Sequence, residues 1–180
     1  MTGAPSTAEP RLRPLRSSDA PEVLAAFASR TDMARQGDVT DLPTAAAYLT
    51  RLLGEGRHLA FGVVIDDRVV GVVGITLDPD NRNGWFWYWM HAAFRTRGWT
   101  SRAAATVADW ALADGGLDRL ELGHRVNNPA SARVALAAGF VREGMQRRKL
   151  LVADERWDVV TYGRLADDPQ PAIAPLKLEL

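Results

Sequence analysis

Seven consecutive residues combine two arginines, a glycine and three hydroxyl side chains: Arg95-Thr96-Arg97-Gly98-Trp99-Thr100-Ser101. An aromatic run typical of a β-strand, residues 85–90, precedes them, and residues 102–111 follow as a predicted helix. The first N–H groups of a helix have no intrahelical partner, and the helix dipole places positive potential there. Because glycine lets the backbone approach an anion closely, the spacing predicts a phosphate-binding loop. An ordinary capped helix with solvated arginines remains the alternative.

Length and composition limit the class of protein. A chain of 180 residues is expected to form one domain with a substantial core. Lys+Arg and Asp+Glu are both 22, so bulk charge gives no support for binding to nucleic acid or to a membrane surface. The absence of cysteine excludes disulfides, thiolate metal sites and a cysteine nucleophile from this chain. Residues 1–10 lack a signal pattern and no apolar run approaches a membrane span, so a cytoplasmic enzyme or binding domain is expected.

Hydrophobic periodicity predicts seven strands and four helices. The strand candidates are residues 11–15, 59–65, 69–77, 85–90, 118–126, 145–152 and 157–165. The helix candidates begin near Asp19, Pro43, Arg102 and Asn128. Strands come first in hairpins and then alternate with helices, which indicates an α+β or mixed α/β domain with a single sheet.

The ends of the chain differ in composition from its middle. We expect residues 1–10 to be a flexible N-terminus and residues 11–165 to be the folded domain. Residues 166–180 contain three prolines and are predicted to form an extended tail outside the core. The apolar side chains of this tail leave docking on a partner subunit as the alternative.

A second motif is Asn128-Pro129-Ala130-Ser131, followed by Gly139-Phe140-Val141-Arg142-Glu143-Gly144. It resembles the Asn-x-x-Ser … Gly-Phe-x-x-Glu-Gly segment of the RimJ/RimL-type acetyltransferases. In the same way, Arg95-x-x-Gly98-x-Thr100 resembles the Gln/Arg-x-x-Gly-x-Gly/Ala signature of the GNAT superfamily of N-acetyltransferases, with Thr100 in place of Gly or Ala. Tyr88-Trp89-Met90 matches a Tyr-Trp-hydrophobic run of that family. The resemblance covers nearly everything from Arg11 to Leu165.

This resemblance implies a GNAT fold: a single, mostly antiparallel seven-stranded sheet with helices on both faces and with its fourth and fifth strands splayed apart. Acetyl-CoA would lie in the gap as a co-substrate, and no metal is expected. The backbone of Met90, His91 and Ala92 and the side chain of Asn128 would hold the pantetheine arm. The pyrophosphate would bind to the loop residues Arg95, Arg97, Gly98, Trp99, Thr100 and Ser101. Arg102 and Arg133 are further candidates for the 3′-phosphate.

Acyl transfer from a thioester to an amine needs a neutral amine, a stabilised oxyanion and a protonated thiolate. Ser131 is expected to donate the proton to the thiolate, with helix capping as its alternative role. His124 is the first candidate for the base because histidine titrates in the required range, and a core position bonded to backbone is its alternative. Glu121, on the opposite face of the same strand, is the second candidate. His91 and His58 are more distant ones.

The resemblance therefore implies an N-acetyltransferase that moves the acetyl group of acetyl-CoA to a primary amine by direct attack in a ternary complex. The acceptor would be a peptide or protein α-amino group or a small amine, with no nucleic-acid or membrane partner, and the enzyme a monomer or homodimer. Some ribosomal-protein acetyltransferases have a glutamate on the sixth strand, where this chain has Leu150. A non-catalytic acetyl-CoA sensor or assembly module and an interaction protein on a degenerate fold are therefore the alternatives. The tryptophans Trp85, Trp87 and Trp89 would be core residues or the wall of an acceptor pocket.

Overall fold

The computed structural model describes residues 8–54 and 56–180. The first seven residues of the predicted flexible N-terminus lie outside this part of the chain. Its strands are β1 (Arg11–Pro14), β2 (His58–Ile65), β3 (Arg68–Asp78), β4 (Asn83–Met90), β5 (Arg119–Arg125), β6 (Val141–Val152), β7 (Glu155–Leu165) and β8 (Lys177–Leu178). Its helices are α1 (Ala20–Ala28), α2 (Leu42–Leu53), α3 (Trp99–Ala113) and α4 (Pro129–Ala137). Within the described residues, no helix combines the length and the apolar character needed to cross a membrane.

All described strands join one sheet in the order β6-β7-β5-β4-β3-β2-β1-β8. Neighbouring strands are antiparallel except for the β4–β5 and β1–β8 pairs, which are parallel. The predicted single, mostly antiparallel sheet is confirmed, and β8 is an eighth strand that the seven-strand prediction lacked. Its short length and its place inside a proline-rich segment explain why no strand pattern was visible there.

Helices cover both faces of the sheet, as predicted. The side chains of β3 show why, because consecutive residues of a strand point to opposite faces. Val73 and Ile75 pack in the core beneath α3, whereas Val72 packs in the core beneath α1 and α2. A strand that is apolar on both faces must be covered on both.

Strands β4 and β5 are paired over three residues only, where residues 83–85 lie beside residues 119–121. Beyond this point the two strands diverge, which confirms the predicted splay. Helix α3 follows the end of β4, and α4 follows the end of β5. Because β4 and β5 are parallel, both helices begin at the open end of the gap.

The C-terminal segment corrects the expectation of a tail outside the core. Strand β8 pairs with β1, and Leu176 is 5% exposed within the core beneath α3. The N–H of Leu176 donates to Thr106 Oγ1 at 2.9 Å, and Arg102 donates to the carbonyl of Ala174 at 3.0 Å. Without this segment β1 would be an open edge strand, so the tail closes the sheet edge on its own domain.

Replacement of Leu176 by alanine tests the role of the tail. A buried leucine truncated to alanine costs about 2–5 kcal/mol, which for a domain of this size lowers Tm by about 4–20 °C. Leu180, which is 78% exposed, provides the matched control, and Leu180→Ala should leave Tm unchanged. Thermal unfolding followed by circular dichroism measures both. Equal Tm values for the two variants would show that the tail contributes nothing to the fold.

Candidate active site

The β4 wall of the gap presents backbone groups that β3 does not use. The N–H of His91 donates to the carbonyl of Val70 on β3 at 2.9 Å. Alternate residues of a strand direct their backbone groups to opposite sides. Tyr88 and Met90 therefore direct their N–H and C=O groups away from β3, towards β5.

The β5 wall shows the same pattern from the other side. The N–H of Val126 donates to the carbonyl of Asp158 on β7 at 3.0 Å. By the same alternation, Gly123 directs its N–H and C=O groups towards β4, and Arg125 directs its N–H there. The carbonyl of Arg125 instead accepts from the N–H of Asn128 at 2.9 Å and lies 2.8 Å from His124 Nδ1. The gap therefore has hydrogen-bonding backbone on both walls, an arrangement that suits an extended ligand with its own amides.

The backbone groups at the end of β4 revise the predicted pantetheine contacts. His91 already donates its N–H to β3, and the N–H of Ala92 donates to Ser29 Oγ at 3.0 Å. The carbonyl of Met90 accepts from Arg95 Nε at 3.0 Å. Of these three residues, only Met90 keeps an N–H directed into the gap.

The loop after β4 has the geometry of an anion site. Gly98 adopts a left-handed conformation with φ of +76° as the N-cap of α3, and no side chain caps this helix. The N–H groups of Trp99, Thr100 and Ser101 form its first turn and have no intrahelical acceptor. A Cβ at Gly98 would meet no atom within 4 Å, so the space in front of this helix end is open.

The two loop arginines have different roles. Arg95 forms a bidentate ion pair with Asp32 at 2.8 and 3.1 Å, which fastens the loop to the segment after α1. This hydrogen bonding by Arg95 lowers the pKa of Asp32. Arg97 lies over the rings of Phe94 and Trp99, at 5.3 and 5.1 Å, and keeps its charge at the loop surface. Arg95 is therefore structural. Arg97 donates to the carbonyl of Ala93 at 3.3 Å but has no carboxylate partner among the described residues, so its charge can face an anion.

Arg102 and Arg133, the candidates for the 3′-phosphate, also differ. Arg102 donates to the carbonyls of Ala174 and Pro175 and pairs with Glu9 at 2.9 Å. These contacts with the C-terminal segment and Glu9 occupy its guanidinium, which corrects the expectation that Arg102 binds the 3′-phosphate. Arg133 is exposed and forms no ion pair within the described residues.

Ser131 and Tyr88 form a hydroxyl pair across the gap. Asn128 Oδ1 caps α4 by accepting from the backbone N–H of Ser131 at 3.2 Å, so the capping role belongs to Asn128. The Ser131 hydroxyl lies 2.8 Å from that of Tyr88, which also donates to the Ser131 carbonyl at 3.0 Å. Since a phenol has one proton, the serine hydroxyl then donates to the tyrosine oxygen. Burial raises the pKa of Tyr88 to about 12, so its hydroxyl stays neutral at physiological pH.

His124 is a buried histidine with both ring nitrogens engaged. Its Nδ1 lies 2.8 Å from the carbonyl of Arg125, which can only accept, so Nδ1 carries a proton. Its Nε2 lies 3.1 Å from the hydroxyl of Tyr162. This is the core arrangement that the sequence left open as the alternative, and it leaves no ring nitrogen for an amine.

Glu121 lies on the opposite sheet face, at the last residue pair before β4 and β5 diverge. Its carboxylate accepts from Arg119 Nε at 2.9 Å. A cavity of about 150 Å³ adjoins it, lined by Trp85, Glu121, Leu122, Glu143, Gln146, Thr161 and Tyr162. A cavity of this size can hold a ligand such as benzene. Glu121 is therefore the candidate that faces open space.

Of the tryptophans of β4, one is a core residue and another lines a cavity. Trp89 is 3% exposed and packs in the core beneath α1 and α2, whereas Trp85 is 46% exposed and lines the cavity. A Cβ at Gly123 would come within 2.9 Å of the Trp85 ring. The absence of a side chain at Gly123 thus lets this ring lie against β5.

The remaining histidines have structural contacts. His58 Nδ1 lies 3.1 Å from Thr76 Oγ1, and β3 separates His58 from the β4 wall of the gap. His91 Nδ1 accepts from the N–H of Ala93 at 3.1 Å, and burial lowers its pKa. The described residues contain no group of three or more His, Asp or Glu side chains that could hold a metal ion.

Two residues important to this site were not among the predicted site residues. Tyr88 was noted only as part of a family pattern, although strand alternation puts it on the same face as Met90. Asp32 carried no local signal, because its partner Arg95 is 63 residues away.

Comparisons with known proteins agree with this geometry. Ribosomal-protein-serine acetyltransferase of Escherichia coli strain K12 is 30% identical over 113 residues, which are 62% of this chain and 63% of that protein. Probable N-acetyltransferase YjcK of Bacillus subtilis is 26% identical over 78% of this chain and 85% of its own length.

Among solved structures, RimL, a ribosomal L7/L12 α-N-protein acetyltransferase in complex with coenzyme A, superposes with a TM-score of 0.81. It is 21% identical, over 91% of this chain and 98% of that one. Residues 11–141 match the model of a protein family that is described as acetyltransferase (GNAT) domain. The chain therefore belongs to the GNAT family of acetyl-CoA-dependent N-acetyltransferases.

Proposed function

We propose that this protein transfers the acetyl group of acetyl-CoA to the α-amino group of a peptide, a protein or a small molecule, by direct attack in a ternary complex. The observation that carries the proposal is the gap between β4 and β5. Its walls offer free backbone groups, and it ends at the uncapped first turn of α3.

The residues around the gap fit acetyl-CoA. The backbone of Tyr88 and Met90 would hold the pantetheine amides, and the first N–H groups of α3 would hold the pyrophosphate. Arg97 and Arg133 carry charges free to face the phosphates. When bound, acetyl-CoA supplies an acyl group already activated as a thioester.

The hydroxyl pair provides hydrogen-bond donors inside the gap. Ser131 and Tyr88 hold two hydroxyl protons, of which only one is needed for the contact with the Ser131 carbonyl. The other can turn to a departing sulfur and stabilise its negative charge. Because burial holds the pKa of Tyr88 near 12, the pair acts with neutral hydroxyls.

The expected kind of acceptor amine follows from how few side chains near the gap could remove a proton from it. Within the described residues, His124 has no open nitrogen and Glu121 is paired with Arg119. An α-amine with a pKa of about 7.7–8.0 is partly neutral at pH 7, whereas a lysine amine with a pKa near 10.4 is almost fully protonated. Glu121 and Trp85 can attract an ammonium group to the cavity, but an α-amine can then lose its proton to water.

A non-catalytic acetyl-CoA-binding module is the second candidate. The same shortage of a free base favours it. The two functions differ in one measurable result, because only an enzyme releases free thiol when acetyl-CoA and an amine are mixed.

Gly98→Asp tests the loop as the phosphate site. A carboxylate at this position would stand in the open space before α3 and repel an anion, so binding of acetyl-CoA by calorimetry should be lost. Gly116→Asp is the matched control, since Gly116 has φ of +74° and equally open surroundings at the other end of α3. Both variants carry the same left-handed strain of roughly 1–2 kcal/mol, so their Tm values should fall alike. Normal affinity in Gly98→Asp would contradict the assignment of the loop.

Ser131→Ala and Tyr88→Phe test the hydroxyl pair. Each should lower kcat by about 10²–10⁴-fold while the Kd for acetyl-CoA changes little, because general acid groups act on the leaving group. The double variant should be no slower than the worse single one, since the two hydroxyls act as a unit. Asn128 still caps α4 in Ser131→Ala, so the Tm of this variant should equal that of the wild-type protein. A lower Tm with unaltered kcat would assign the pair to structure alone.

A panel of amines at pH 7 tests the proposed function itself. We expect faster thiol release with an alanine-starting peptide than with the α-blocked peptide that offers only a lysine amine. The neutral form of the lysine amine is more than about a hundredfold scarcer than that of the α-amine. Faster transfer to lysine would reveal a strong base, and no transfer to any amine would favour the non-catalytic module.

A further inference from the structure

Strand β6 carries a bulge made of three consecutive cations. Gln146 pairs with Val159 and Leu150 pairs with Trp157, so Arg147, Arg148 and Lys149 stand opposite one residue of β7. All three side chains are exposed. The bulge thus aims a dense positive charge outward from the edge of the sheet.

The bulge has a defined geometry. Arg148 has φ of +51°, a left-handed conformation that costs roughly 1–2 kcal/mol in a residue other than glycine. Its N–H donates to the carboxylate of Asp158 at 2.8 Å, which offsets part of this cost. A backbone held in this way presents its three cations at a fixed place.

That place is level with the open end of the gap. The carbonyl of Asp158 on β7 accepts from Val126, the residue directly after β5, so β7 separates the bulge on β6 from the β5 wall of the gap. Arg125, at the end of β5, has its guanidinium 5.9 Å above the ring of Trp157. Arg35, on the segment after α1, is near enough to add to the effect of burial in lowering the pKa of Arg125. By strand alternation, Arg125 lies on the same face of the sheet as Glu121.

Five cations therefore lie near the open end of the gap on the β5 side, and we call them the basic rim: Arg35, Arg125, Arg147, Arg148 and Lys149. None of them has a carboxylate at ion-pair distance among the described residues, whereas Arg95, Arg102 and Arg119 are all paired. Asp158 supplies one negative charge inside the rim through its contact with the bulge backbone. The rim keeps a positive excess in a chain whose formal net charge is zero.

We propose that the acceptor is a peptide N-terminus whose following residues carry carboxylates. This inference rests on the proposed acetyltransferase function and names its substrate class. The α-amine would enter the cavity at Glu121 and Trp85, and the acidic residues behind it would lie along the rim. A nucleic acid would also meet positive charge here, but it carries no aliphatic amine, and Glu121 and Glu143 would repel its phosphates.

Three peptides that start with the same two alanines test this proposal, with residues three to six all glutamate, all glutamine or all lysine. Exposed ion pairs contribute about 0.2–1 kcal/mol each, so kcat/KM should be about tenfold higher for the glutamate peptide than for the glutamine peptide. The lysine peptide should be the poorest. The advantage should shrink between about 20 mM and about 300 mM salt, because salt screens exposed charges.

Variants of the bulge assign the preference to the rim. Arg147→Gln/Lys149→Gln removes two positive charges and should lower kcat/KM for the glutamate peptide about fivefold, with little change for the glutamine peptide. Arg16→Glu is the matched control, because it changes the net charge by the same amount. Arg16 is exposed just beyond β1, and strands β2 and β3 separate β1 from the β4 wall of the gap. This control should keep the wild-type preference.

Equal kcat/KM for all three peptides would overturn the proposal and leave the bulge as protection of an edge strand. Binding of an RNA oligonucleotide that is lost in the bulge variant, together with equal peptide rates, would overturn it in favour of nucleic acid. If no peptide is acetylated, the proposed function fails. The affinity of N-acetylated product peptides for the protein with coenzyme A then still tests whether the basic rim binds acidic residues. Tighter binding of the acidic product would support it, and equal binding would overturn it.

Discussion

Backbone N–H and C=O groups that leave a sheet must find other partners, and this constraint governs the centre of the protein. Strands β4 and β5 part after three residue pairs, so both strands turn unpaired groups towards each other. Arg95 satisfies one of these groups, the carbonyl of Met90, and at the same time fastens the following loop through Asp32. The remaining groups stay available to a ligand. The binding site is thus a region in which the sheet is incomplete and the chain around it is held in place.

Much of the fold could be predicted because its signals are local. The apolar runs of β2 and β3, the aromatic run of β4 and the capping residue Asn128 each act within a few positions of the chain. The loop before α3 was visible for the same reason, since Gly98 and the start of the helix are adjacent in sequence. The splay of β4 and β5 came from the family resemblance, because no single strand shows where its neighbour departs.

The rest depended on contacts between distant parts of the chain. Arg95 is an anion ligand by residue type, and only its pairing with Asp32 makes it structural. Arg102 lies 72 residues from the carbonyl that it holds, and Tyr88 lies 43 residues from Ser131. His124 illustrates the limit most clearly, since its residue type suggests a base while its two hydrogen bonds make it part of the core. Residue type indicates what a side chain is able to do, and its partners determine which of these roles it fills.

The pairing of β8 with β1 has a consequence for synthesis. Arg11 and Glu179, joined across this edge, are 168 residues apart, so β1 cannot be covered until β8 has been translated. Until then the nascent chain exposes β1 as an open edge and lacks the leucine that fills the core beneath α3. Contacts of such long range form slowly and leave unpaired strands exposed to other chains meanwhile. Before β8 has been synthesised, the edge of β1 is therefore open to pairing with other chains.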